Sequence, residues 1–129
     1  MRIRIILLTC IIAIAGFVPT LGADQPSLTG KWSGKYVNSF GFDGEDSLDI
    51  VVTKDNTVTG TWDGKKVEKG EKVSDELLQW EAAKGEFRYR ARAYVKGAGK
   101  ALLVEYTVTE IENGKVSTAY TGTSLLIKK

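Results

Sequence analysis

The chain has 129 residues, 18 basic and 16 acidic side chains, no histidine and one cysteine. Without histidine there is no Ser-His-Asp or Cys-His nucleophile and no ordinary zinc site, so most common hydrolase mechanisms are excluded. The length suits a single domain, which buries roughly 60 to 70% of its unfolded surface around one core.

Residues 1–23 read as an export signal. Arg2 and Arg4 precede an apolar run over 5–18, and Pro19 and small residues follow, ending at Gly22-Ala23. A membrane-spanning helix needs about 20 apolar residues, and this run is shorter. Leu7-Leu8-Thr9-Cys10 has the look of a lipoprotein box, but Cys10 lies too close to Arg4 to leave an apolar stretch before it. Cleavage near Ala23 removes Cys10 and Met1 and also the entire formal charge of +2, because Arg2 and Arg4 go with the leader. A neutral mature chain offers no electrostatic case for nucleic acid or an anionic membrane, and no membrane span remains after cleavage. With no disulfide and no Asn-x-Ser/Thr acceptor, the expected location is exported, periplasmic or secreted, in a bacterium.

Residues 24–129 are expected to form one domain, and nearly all of it shows a period of two. Gly30, Trp32, Gly34 and Tyr36 share one strand face. Leu48, Ile50 and Val52 share another, followed by Val58, Gly60 and Trp62. A loop of Lys54-Asp55-Asn56, with Asn56 left-handed, pairs Val52 with Val58 and Leu48 with Trp62. After the Asp63-Gly64 turn, the charged stretch 65–72 has only Val67 as an apolar residue, with Val73 next, and reads as an exposed edge. Residues 74–85 fit two descriptions. Leu78, Trp80 and Ala82 alternate as in a strand, while Ser74, Asp75, Glu76, Lys84 and Gly85 obey helix grammar; the setting between strands favours the strand.

Phe87, Tyr89, Ala91, Ala93 and Val95 form the cleanest apolar face, with Arg88, Arg90, Arg92 and Tyr94 opposite. The turn over 96–100 then pairs Val95 with Leu102, Ala93 with Val104 and Arg92 with Glu105. Asn113-Gly114 marks a last hairpin. Its second strand admits two registers, Tyr120 inward or Ala119, Thr121, Leu125 and Ile127 inward, with a bulge near Gly122 able to switch faces. Seven or eight strands in sequential hairpins favour an all-β, antiparallel up-and-down barrel, closed so that no edge is exposed.

Leu28-Thr29-Gly30-Lys31-Trp32 resembles the Gly-x-Trp opening of lipocalins and the first strand of avidin-type barrels, and Val58-Thr59-Gly60-Thr61-Trp62 resembles the avidin third strand. The resemblance implies a calycin-like barrel, lipocalin-like in form, whose members bind hydrophobic small molecules, biotin-like ligands or, in some inhibitors, a protease. It also implies that Trp32 plugs the closed end. The biotin-site polar cluster does not carry over, because Gly34 stands where avidin-type barrels place an asparagine; lipocalin disulfides are absent too.

Three constellations are left. Asp43-Gly44-Glu45-Asp46 is an acidic turn without the spacing of a defined calcium loop, and it reads as solvated. Carboxylate-only catalysis requires two acids converging in a cleft. Arg88, Arg90 and Arg92 form a candidate anion site, since guanidiniums bind carboxylates bidentately. Arg92-Ala93-Tyr94 resembles the Arg-x-Tyr grip of fatty-acid-binding barrels, which lies on their last strand. The plainer reading is an outer face paired with Glu105.

Tyr36, Trp62, Trp80, Tyr89 and Tyr106 are the candidate ligand-lining residues, and a solid core is the competing use of the same side chains. The expectation is an exported, non-enzymatic binding module without cofactor or metal, taking a hydrophobic small molecule or an envelope protein. The alternative is a filled-core interaction or inhibitor domain acting through its surface. An internal cavity of ~300 Å³ or more would favour the ligand carrier, and a packed interior would sink it.

Overall fold

Short turns whose residues accept left-handed backbone fold the chain into consecutive hairpins. Asp63-Gly64 (φ 49° and 79°) and Asn113-Gly114 (φ 51° and 76°) are two-residue hairpin loops with both central residues left-handed. Asn56 is left-handed as well (φ 66°). The computed structural model describes residues 27–129, so the signal-peptide reading lies outside the described residues.

Strands β1 (Gly30–Asn38), β2 (Asp43–Val52) and β3 (Thr57–Trp62) are followed by β4 (Lys65–Lys66) and β5 (Glu68–Ser74), then β6 (Leu77–Lys84) and β7 (Phe87–Lys96). A 3₁₀ turn, Gly97–Gly99, leads to β8 (Ala101–Glu112) and β9 (Lys115–Lys128). β4 and β5 are one strand broken at Val67, which makes eight staves. All pairings are antiparallel, and β1–β9 and β3–β5 close the ring. The predicted registers Val52↔Val58, Leu48↔Trp62, Val95↔Leu102 and Ala93↔Val104 are all present.

Within the stretch 74–85 the chain turns at Asp75-Glu76 and then runs as strand β6, not as a helix. Two expectations are corrected. The stretch 65–72 is not an exposed edge: it pairs with β3 on one side and β6 on the other, irregularly, and buries Val67. In β9 the irregularity falls at Ala119, not Gly122: Val108 faces Tyr120 while Thr109 faces Thr118. Tyr120, Gly122, Ser124 and Leu126 therefore share the inner phase, and Leu125 and Ile127 are each 52% exposed.

Neighbouring inward positions alternate large and small, which lets a narrow barrel fill without clashes. One row runs Trp80, Ala91, Tyr106, Gly122 across four strands. A Cβ on Gly122 would sit 2.2 Å from the Tyr106 ring, and one on Gly34 would sit 1.8 Å from the Leu125 carbonyl oxygen. Neither position has room for a side chain. At one end Trp32 fills the barrel beside Leu48 and donates its indole N–H to the Leu28 carbonyl at 3.2 Å. The Trp32 plug expected from the resemblance is in place.

Candidate functional site

The opposite end of the barrel is built from different chemistry. On β2, Asp46 continues the inward phase of Leu48 and Ile50 and is only 5% exposed, although the acidic turn 43–46 is expected to be solvated. A carboxylate survives there because its oxygens are engaged. Oδ2 accepts Trp62 Nε1–H at 3.1 Å and Ser124 Oγ–H at 2.7 Å, and Oδ1 accepts the Ser47 amide at 2.9 Å.

Trp62, thus anchored, makes edge contacts with three aromatic rings. Tyr106 lies 5.3 Å away at 74°, Tyr89 5.7 Å at 87°, and Trp80 5.7 Å at 77°. The Asp63-Gly64 turn sets Lys65 directly across from Trp62. Its ammonium lies over the Trp62 and Tyr89 rings and 3.8 Å from Asp63, with 9% of the side chain exposed. Burial lowers the Lys65 pKa, and Asp63 and Asp46 oppose that shift. Burial raises the Tyr89 pKa, helped by its hydrogen bond with Tyr120. Burial also pushes Tyr106 up to about 12, with the Asp46 charge second. Both phenols therefore keep their protons to higher pH than a free tyrosine.

These groups line a cleft of about 100 Å³ together with Tyr36, Asn38 and Tyr120. Four of the five predicted lining residues, Tyr36, Trp62, Tyr89 and Tyr106, converge there. The fifth, Trp80, does not reach it. It is buried behind Trp62, and its Nε1 has no hydrogen-bond partner among the described residues.

The arginine row is on the outside of the barrel. Arg88 donates to the Gly85 carbonyl at 2.9 Å. Arg90 and Arg92 border an outer trough of about 670 Å³ with Lys69, Glu81, Glu105 and Thr107. Arg92 stands opposite Glu105 in register, but the ion pairs among the described residues are made by Lys65, Lys69 and Lys72. This trough is open to solvent, and beneath the cleft Trp62 packs edge-on against Trp80 within the buried core. The mouth falls well below the roughly 300 to 1,000 Å³ of drug-sized sites.

Sequence reasoning missed Asp46, Lys65 and Tyr120. The Asp46 signal was its shared phase with Leu48 and Ile50, and the Lys65 signal was the two-residue turn after Trp62. Two carboxylates, Asp46 and Asp63, do reach the cleft, yet Asp46 spends its oxygens on the fold's own donors and Asp63 pairs with Lys65. The arrangement is suited to holding a molecule.

No protein-family model and no curated protein matches the chain. Among solved structures, that of EF1p2_mFAP2b bound to DFHBI is similar, with a TM-score of 0.58 at 13% identity over 79% of this chain and 94% of that one. The fold is a calycin-like barrel. The rhizavidin–biotin complex also matches, at a TM-score of 0.43 and 8% identity over 75% of this chain and 93% of that one. At 13% identity the likeness to the first of these extends to the fold alone.

Proposed function

We propose that this protein is an exported, non-enzymatic binding module that takes a small molecule at the open end of its barrel. The observation that carries the reading is the convergence of Tyr36, Trp62, Tyr89 and Tyr106 around Lys65 and Asp46, opposite the end plugged by Trp32. Apolar walls with a few polar groups are the usual make-up of ligand sites. The packed core beneath the cleft, where Trp62 meets Trp80, overturns the expected carrier of an enclosed lipophile, and what this reading keeps is a small ligand held at the mouth. A barrel of the same fold is bound to DFHBI, which supports the reading as to class. Export rests on the leader at 1–23, and the absence of cysteine after it and of an Asn-x-Ser/Thr acceptor supports a bacterial periplasmic or secreted location.

Native mass spectrometry of protein purified from its own envelope tests this directly. A co-purifying small molecule is expected, and it should alter tryptophan emission in the wild type but not in Trp62→Phe. Bare protein whose emission ignores a panel of small lipophilic, anionic and cationic compounds would sink the reading.

A second reading, an interaction domain, is favoured by one observation at the same end. The loop between β1 and β2 exposes Phe40 (62%) and Phe42 (66%), while the Asn38 Oδ1 holds both of their amides, at 3.0 and 3.1 Å. An ordered loop presenting two phenylalanines suits a protein partner. In that case the native spectrum shows a protein-sized adduct that Phe40→Ser/Phe42→Ser loses.

A further inference from the structure

Lys65 fills the cleft with an ammonium of the protein's own. Its Nζ lies 4.8 Å from the Trp62 ring centroid and 4.6 Å from that of Tyr89. Ring faces carry negative potential, so two rings at this range attract a cation, more strongly where water is excluded. The lining adds two carboxylates, Asp46 and Asp63, against the single charge of Lys65. With the lysine arm removed, the walls are aromatic and net negative. Lys84 acts against a cation there, but from outside the lining.

The walls and their occupant differ in rigidity. Trp62 is fixed by Asp46 and by three ring contacts, and the Tyr106 ring lies where Gly122 leaves space for it. Lys65 hangs on a four-carbon arm just past a two-residue turn. Burial disfavours its charged form. A primary ammonium is strongly hydrated, so it is a costly guest in such a place. An alkylated ammonium sheds water more readily and presents more surface to the rings.

We propose that the cleft is a cage for small organic ammonium ions, methylated or quaternary amines with a short apolar arm, and that Lys65 is its tethered occupant, displaced when the ligand enters. This rests on the reading of the open end as a ligand site and names the ligand class.

Choline and its uncharged carbon isostere, neohexyl alcohol, are the probes. In the wild type, choline should shift tryptophan emission saturably and the alcohol should not. Choline should also expose Lys65, so that acetylation by an N-hydroxysuccinimide ester, read by peptide mass spectrometry, speeds up severalfold there but not at the exposed Lys31. Lys65→Ala should tighten choline roughly tenfold by removing the competitor, and Asp63→Asn should weaken it. The acetylation result needs no variant to fold. The proposal is overturned if the alcohol binds as tightly as choline, if choline fails to bind Lys65→Ala that is folded by circular dichroism, or if choline binds without changing Lys65 acetylation. Should a neutral or anionic compound still act through Trp62 in those cases, the open-end site stands and only the ammonium class falls. If no compound does, both readings fail.

Discussion

Each end of the barrel has a tryptophan with a lysine over its ring, and the two pairs do different work. At the plugged end, the Trp32 indole donates to a carbonyl four residues back, and Lys128 reaches over the ring at 5.7 Å while also bonding the Ser27 carbonyl in the open. At the other end, the Trp62 indole donates to a buried carboxylate, and Lys65 lies inside the cleft rather than over it. The first pair closes a wall with an indole bond to Leu28, four residues back, and with the aliphatic Leu48 opposite it in register. The second keeps charge out of water, which costs stability unless partners or a use offset it. Burial of charge, not the presence of aromatics, is what distinguishes the open end from the plugged one.

Substitutions that separate the two ends should show it. Trp32→Ala is expected to have the largest effect, a loss of about 3–5 kcal/mol from the cavity it opens, a large part of a small domain's stability. Denaturant unfolding measures this; a loss under about 1 kcal/mol would mean that the plug does not hold the end. Asp46→Ala should come next, at about 2–3 kcal/mol, because Trp62 Nε1 and Ser124 Oγ lose a charged acceptor inside the protein. Trp62→Phe should then exceed Trp80→Phe by about 1.5–3 kcal/mol, since only the Trp62 N–H bonds a charge. Equal losses would show that the anchor on Asp46 contributes little.

The parts of this picture that were legible are those set by neighbours in sequence. Alternation plus Asn56 placed Leu48 against Trp62, and alternation plus the turn at 96–100 placed Ala93 against Val104. Tyr36, Trp62, Tyr89 and Tyr106 were legible as inward positions for the same reason. Asp46 was not read inward, although its phase was visible, because an acid at a strand's start is ordinarily solvated. What turns it inward is Ser124, 78 residues away, and Trp62, 16 away. The break at Ala119 had no turn residue to announce it. Gly122 did carry information, but its meaning depended on the Tyr106 ring across the pair. Trp80 shows the converse limit: alternation gives the face, and only packing decides which inward ring reaches the mouth.

Alkali acts on stability through the tyrosines of the open end. Tyr106 has its folded pKa raised to about 12 from the ordinary 10.0 of a free phenol, and Tyr89 is raised as well. The sign follows from linkage: between those values the unfolded phenol has lost its proton while the folded one keeps it, so the stability is intact below pH 10 and falls as pH rises towards about 12. Ultraviolet titration should show tyrosines that ionise late, and Tyr106→Phe should remove a late-titrating group. If all five tyrosines ionise together near their ordinary value, the mouth is wetter than its packing implies.

The smallest effect is expected outside the barrel, and it bears on which surface binds. Arg90 and Arg92 stand on exposed positions of β7 without an ion pair to a carboxylate among the described residues. Replacing both by alanine should change stability by no more than about 0.5 kcal/mol at each site. It should also leave the response of Trp62 to any mouth ligand unchanged, because the guanidiniums and the cleft lie on opposite faces of the same sheet. The two measurements discriminate between the candidate sites. Loss of ligand binding with stability intact would move the site from the mouth to the outer trough, where a carboxylate would be the ligand to seek, whereas unchanged binding leaves the open end as the only one of the two that responds.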